Sequence, residues 1–135
     1  MTTSSLCFLQ PDGWPDARGY SHGVAAEGRM VFVAGQVGWN TRAQFESDDL
    51  VAQVEQALVN VVAVLGAAGA GPEHLARMTW YVTDKKAYLS RQQEIGEVYR
   101  RIIGRHYPAM TLLVVAGLLE DRALVEIEAT AVLPT

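Results

Sequence analysis

The 135 residues predict a single α+β domain with elements in the order β-β-α-β-α-β-β, a mixed sheet carrying two helices packed on one face. Three observations lead there. Apolar side chains recur at helical spacing between residues 50 and 65 and again between 95 and 103. Segments of strand character stand before, between and after these two stretches. The composition, half hydrophobic and 19% charged, is that of a folded chain, and the length suits one core.

Residues 1–19, with Pro11, Gly13 and Pro15 close together, read as an irregular, partly mobile N-terminal segment. From Ser21 the text SHGVAAEGRMVFVAGQVG places two apolar stretches around Glu27-Gly28, which predicts a hairpin. The stretch SDDLVAQVEQALVNVVAVLGAA carries Leu50, Val51, Val54, Ala57, Leu58, Val61, Val62 and Leu65 on one helix face. Ser47 is the expected N-cap, Asp48 and Asp49 suit the first turn, and Gly69 and Pro72 close the helix. Its valines lower helix propensity, so packing must hold it.

Leu75–Thr83 alternates, with Met78, Trp80 and Val82 on one face. Asp84 or Ser90 opens the second helix, which runs to Arg105 with Ile95, Val98, Tyr99, Ile102 and Ile103 as its buried stripe. Strands 110–116 and 124–133 follow, joined by a polar corner at Glu120-Asp121-Arg122. In VEIEATAV the residues Val125, Ile127, Ala129 and Ala131 point one way, Glu126, Glu128 and Thr130 the other. Strand 110–116 is apolar on both faces, and no element remains to cover the second face. Self-association through the sheet is the expected remedy.

Several functions are disfavoured. The net charge is −4 and the 11 Lys and Arg are scattered, so nucleic acid is not an expected partner. Cys7 is the only cysteine, which fits a reducing compartment. No basic, apolar leader opens the chain and no run of about 18 apolar residues is evident, so a cytoplasmic protein without a membrane span is expected. His22, His74 and His106 lack metal-ligand spacing, and His106 suits the C-terminal end of the second helix. Gly66, Gly69 and Gly71 close a helix where a phosphate loop would open one. No metal or cofactor is expected.

The blocks VFVAGQVG, VEQALVNVVAVLGAAGAG, MTWYVTD, YPAMT and LVEIEATAV, in this order and spacing, resemble the RidA/YjgF (L-PSP) family from about Tyr20 to Leu133. The resemblance implies a chorismate-mutase-like fold and a homotrimer with a small-molecule cleft at each subunit interface. It also implies hydrolysis of reactive enamines and imines, such as 2-aminoacrylate, to keto acids and ammonia. Ribonuclease activity, reported for some relatives, is the weakest implication here.

Position by position, the resemblance makes Glu126 the residue that positions or activates water and Tyr20 a cleft residue. Gly35-Gln36 match a Gly-Gln pair. Where the family places an arginine after Pro-Ala to hold the substrate carboxylate, this chain has Met110. Ala34 stands in the place of a serine, and Leu112 is a third cleft position.

An arginine fork makes two charge-assisted bonds of ~1.5–3 kcal/mol each. Its loss weakens a carboxylate substrate by roughly two to four powers of ten, at ~1.4 kcal/mol per decade. Methionine offers no such donor and commonly fills apolar gaps. A shifted clamp would come from Arg105, Arg77 or a neighbouring subunit. The expected activity is a RidA-type deaminase whose substrate is not anchored through a carboxylate-arginine pair; the alternative is a non-catalytic trimer binding a small ligand or a protein in the same clefts. A carboxylate at the wall of an apolar cleft loses hydration, which suits general acid–base work. Glu126 and Glu128, two apart on one strand, equally suit ion pairs with arginines of a neighbouring subunit.

Overall fold

Helix α1 (Leu50–Ala67) forms where the apolar spacing puts it, but Asp49, not Ser47, is its cap. In this computed structural model, which describes residues 5–135, the Asp49 carboxylate accepts from the Ala52 N–H at 3.0 Å. Ser47 Oγ acts one step earlier, accepting from the Asp49 N–H. At the other end Gly69 takes φ +76°, and the N–H groups of Gly69 and Ala70 return to the carbonyls of Gly66 and Leu65. This paired ending satisfies carbonyls the helix leaves open. By length and hydropathy α1 reaches what a membrane span needs, which the sequence reading did not anticipate. Its stripe from Leu50 to Leu65 is nevertheless buried in the domain core.

Four strands form the main sheet in the order β3 (Arg29–Val37), β6 (Val125–Leu133), β4 (Leu75–Val82) and β5 (Ala109–Val114). β4 and β5 run parallel and the other pairs antiparallel, so the sheet is mixed as expected. Met78, Trp80 and Val82 join Val125, Ile127, Ala129 and Ala131 in the core beneath α1. The second expected helix divides in two, α2 (Lys85–Ser90), capped by Asp84, and α3 (Gln92–Ile102). Arg91 stands at the break, its guanidinium on Asp49 at 2.9 Å and Glu94 at 2.7 Å. Those hydrogen bonds hold both carboxyls below their ordinary values. Helix α3 ends at Ile102, short of the expected Arg105, and packs beside α1 with Ile95, Val98 and Tyr99 inward.

Two expectations fail at the N-terminal side. Residues read as irregular contain β1 (Leu6–Leu9), and it pairs antiparallel with β2 (Gly23–Ala26). The expected hairpin across Glu27-Gly28 is therefore absent, since β3 pairs with β6 instead. Gly28 explains the divergence: it takes φ +143°, and a Cβ there would stand 2.0 Å from the Leu133 carbonyl oxygen. The chain bends hard against the end of β6, and β2 leaves the sheet to form a separate two-strand ribbon. Strand character is legible in local sequence, whereas the partner is a tertiary choice.

Gln53, 1% exposed, is the buried polar residue of α1. Its amide donates to the carbonyls of Ser47 and Arg122 and accepts from the Leu124 N–H at 2.8 Å, fixing the polar corner before β6. The face of the sheet away from the helices carries Glu126, Glu128 and Thr130, as the alternation requires. Phe32, 71% exposed, lies on that face.

Candidate functional site

Ser21 fixes the first part of the site. Its N–H donates to the Pro108 carbonyl at 3.0 Å and its hydroxyl to the Tyr107 carbonyl at 2.5 Å. The chain before β2 is thereby tied to the start of β5, and Tyr20 joins Met110 and Leu112 in one cleft of about 530 Å³. Parallel register sets Met110 beside Met78 and Leu112 beside Trp80, so both lie on the helix side of the sheet.

The cleft is rich in aromatic side chains. Tyr20, Tyr88, Tyr99 and Tyr107, four of the five tyrosines, line it together with Trp80. Tyr99 and Tyr107 stack with planes 12° apart, and the Tyr99 hydroxyl donates to the His106 carbonyl at 2.6 Å. Burial pushes the hydroxyls of Tyr99 and Tyr88 above their ordinary range. Trp80 is 2% exposed, and its indole N–H is buried without an acceptor among the described residues. An unmet buried donor costs about 1–3 kcal/mol, so this one stands out.

The second part lies across the sheet. Between Val33, opposite Ala129, and Gln36, opposite Ile127, the β3–β6 register slips. This bulge takes Ala34 and Gly35 out of the ladder. The Gln36 amide closes it locally by donating to the Ala34 carbonyl at 3.0 Å. The half-buried Glu126 lays its carboxylate over Gly35, where a Cβ would stand 2.6 Å from Oε2. At position 35 the Glu126 carboxylate occupies the space a side chain would take.

The seven sequence candidates thus fall into two groups. Tyr20, Met110 and Leu112 share the aromatic cleft; Ala34, Gly35, Gln36 and Glu126 share the bulge. β4 separates β5 from β6, a distance of roughly two strand spacings of 4.8 Å, and Glu126 faces the side of the sheet away from the cleft. Within one chain they do not meet.

Other candidates are accounted for. Glu128 accepts a short hydrogen bond from the Tyr81 hydroxyl, which pushes that hydroxyl above its ordinary range. His106 bonds the Leu75 carbonyl at 2.7 Å and so serves β4, not the helix end. No three His, Cys, Asp or Glu gather in a metal-binding group among the described residues. Neither Arg105 nor Arg77 lines the aromatic cleft, but Arg18 and Arg100 do. Sequence reading passed over both, because a lone arginine in a loop or on a helix surface reads as solvated charge. A signal existed in Gly96, an interior glycine of α3 one turn before Arg100.

Known proteins match this arrangement over nearly the whole chain. The family model Endoribonuclease L-PSP matches residues 14–133. Protein DfrA of Myxococcus xanthus is 34% identical over 127 residues, 92% of this chain and 93% of its own length. TdcF of Escherichia coli, assigned by name to the reactive intermediate deaminases, is 35% identical over 108 residues, 78% of this chain and 80% of its own. Among solved structures, the Rid-family protein YyfB of Yersinia pestis superposes with a TM-score of 0.86 at 31% identity, covering 96% of this chain and 99% of that one. TdcF with bound serine superposes with a TM-score of 0.67 at 32% identity, covering 94% and 98%. On these matches in sequence and fold, the chain belongs to the RidA/YjgF family, the group that includes such reactive-intermediate deaminases.

Proposed function

We propose that the protein is a hydrolytic enamine/imine deaminase that works as a homotrimer. Each cleft would take its aromatic walls from one subunit and its Glu126 bulge from the next. The observation that carries this reading is the Glu126 carboxylate held over Gly35, exposed to a partner but out of reach of its own aromatic cleft. A relative solved with bound serine supports a cleft for small molecules.

The chemistry assigned to Glu126 is general base and then acid. The enamine takes a proton from solvent at carbon to become the iminium ion, and Glu126 accepts a proton from water as its oxygen adds to the iminium carbon. Glu126 returns that proton to nitrogen, the C–N bond breaks as the carbinol oxygen releases its remaining proton to solvent, and ammonia leaves with the carbonyl compound. Met110 supplies no carboxylate anchor beside the reacting carbon.

The test is ammonia release from a panel of enzymatically generated imines. Wild type is expected to accelerate at least one, and Glu126→Gln to lose that acceleration. Equal rates for the two proteins would remove Glu126 from the mechanism. Light scattering at micromolar concentration is expected to give three times the chain mass; a monomer would leave the cleft without its glutamate.

A second reading, a non-catalytic trimer binding a small ligand, draws on Met110 and Ala34, which remove polar groups from the two halves. Ligand binding without turnover of any imine would favour it. Ribonuclease activity has the family description behind it, but the net charge of −4 weighs against a polyanionic substrate.

A further inference from the structure

We infer that the aromatic cleft binds a flat, unsaturated or aromatic carboxylate, its anionic end held at the cleft mouth by Arg18 and Arg100 and its body lying over Met110 and Trp80. The inference rests on the ligand-cleft reading above but not on hydrolysis.

Three observations meet here. Both arginines are exposed and line the same cleft, and neither forms an ion pair among the described residues. Arg91, Arg101 and Arg122 are each paired with a carboxylate, whereas Arg29, Arg42, Arg77 and Arg105 do not line this cleft. Next, Gly96 sits inside α3 on the cleft wall, and a Cβ there would stand 3.2 Å from Arg100 Nη1. The missing side chain lets the guanidinium fold back along the helix toward the cleft, at a position where glycine weakens the helix. Finally, Trp80 lines the cleft and buries its indole N–H without an acceptor among the described residues.

These features fix the ligand class by position. Arginine binds carboxylates through a planar fork. Here the forks come from the N-terminal segment and from α3, not from position 110 on β5. Tyrosine and tryptophan walls favour a planar body. A volume near 530 Å³, roughly 18 times a water's share of ~30 Å³, exceeds what a three-carbon substrate fills. A polar acceptor on the buried part of the ligand would satisfy Trp80, which can only donate.

The experiment titrates the full chain with trans-cinnamate and with the neutral isostere cinnamamide, by calorimetry and by the indole N–H signals of Trp14, Trp39 and Trp80. Cinnamate is expected to bind at least ten-fold more tightly and to shift the Trp80 signal. Arg18→Gln and Arg100→Gln are each expected to weaken cinnamate several-fold, and together to bring it to the level of cinnamamide, whose own affinity stays unchanged. Gly96→Leu, which fills the space beside the guanidinium, is expected to act like Arg100→Gln. Equal affinity for the two probes, no binding of cinnamate at millimolar concentration, or indifference to both arginines would each overturn the assignment. Glu126→Gln separates the two proposals: binding governed by the arginines with no turnover even in wild type removes the hydrolase and keeps the clamp. Turnover that depends on Glu126 but ignores both arginines does the reverse.

Discussion

The bulge at Gly35 and the cleft around Met110 solve opposite problems. The bulge offers a carboxylate with almost no walls: two neighbouring strands, a slipped register and a glycine place Glu126. The cleft offers walls with no carboxylate or imidazole among the described residues that line it, assembled from the N-terminal segment, β4, α2, α3 and β5. The first is a local device that a few residues determine; the second depends on the tertiary fold. Under the proposed trimer neither region is a complete site, and each would supply what the other lacks.

The largest effect expected from disturbing this contrast is at Glu126. Glu126→Gln should reduce any deaminase turnover by about 10²–10⁴-fold while leaving ligand affinity in the cleft unchanged, measured by ammonia release beside calorimetry. If affinity collapsed with turnover, the division into walls and chemistry would be wrong. Met110→Arg is the reciprocal change, giving the cleft an anchor beside the reacting carbon. Activity on 2-aminoacrylate should rise by roughly two powers of ten, in proportion to about 3 kcal/mol of charge-assisted bonding. No gain would mean that position 110 does not face the reacting carbon.

Gly35→Ala should cost turnover on the order of ten-fold, because the new methyl displaces the carboxylate tip, while thermal stability changes little since that tip can swing aside. Acid acts on the other region. Asp49 and Glu94 are held below their ordinary values by Arg91, so their contribution is fully present above the unfolded-state values near 4 and is lost as pH falls through the lower folded-state values. Amide exchange in α3 should therefore quicken on acidification before that of β3 and β6, and Arg91→Ala should erase the difference. Smallest of all, Gly96→Ala should raise stability by about 0.5–1 kcal/mol in thermal melts, provided the Arg100 tip yields by a few tenths of an ångström.

The same contrast explains what could be read without coordinates. α1, β4 and β6 each bury one regular face, so periodicity revealed them to within a residue or two. Gly35 and Glu126 were visible because their neighbours form recognisable blocks. The ribbon was not: residues 6–9 are too few to announce a strand, and the bend at Gly28 looks like any hairpin glycine until the Leu133 carbonyl beside it is known. The helix breaks at Arg91, beside the second of the two starts the sequence offers, and the guanidinium there pairs with Asp49, 42 residues away, a contact outside any local window. Arg18 and Arg100 matter only through a cleft whose walls come from five separated segments, a relation that no local window contains.

The placement of Glu126 on the side of the sheet away from the cleft also has a genetic meaning. In a cyclic assembly each cleft would draw its walls and its glutamate from different chains, so two inactive variants should complement one another. A protein lacking Glu126 and a protein with a blocked aromatic cleft, unfolded together and refolded as mixed trimers, would regain about one working cleft in four. Two copies of either variant alone would regain none.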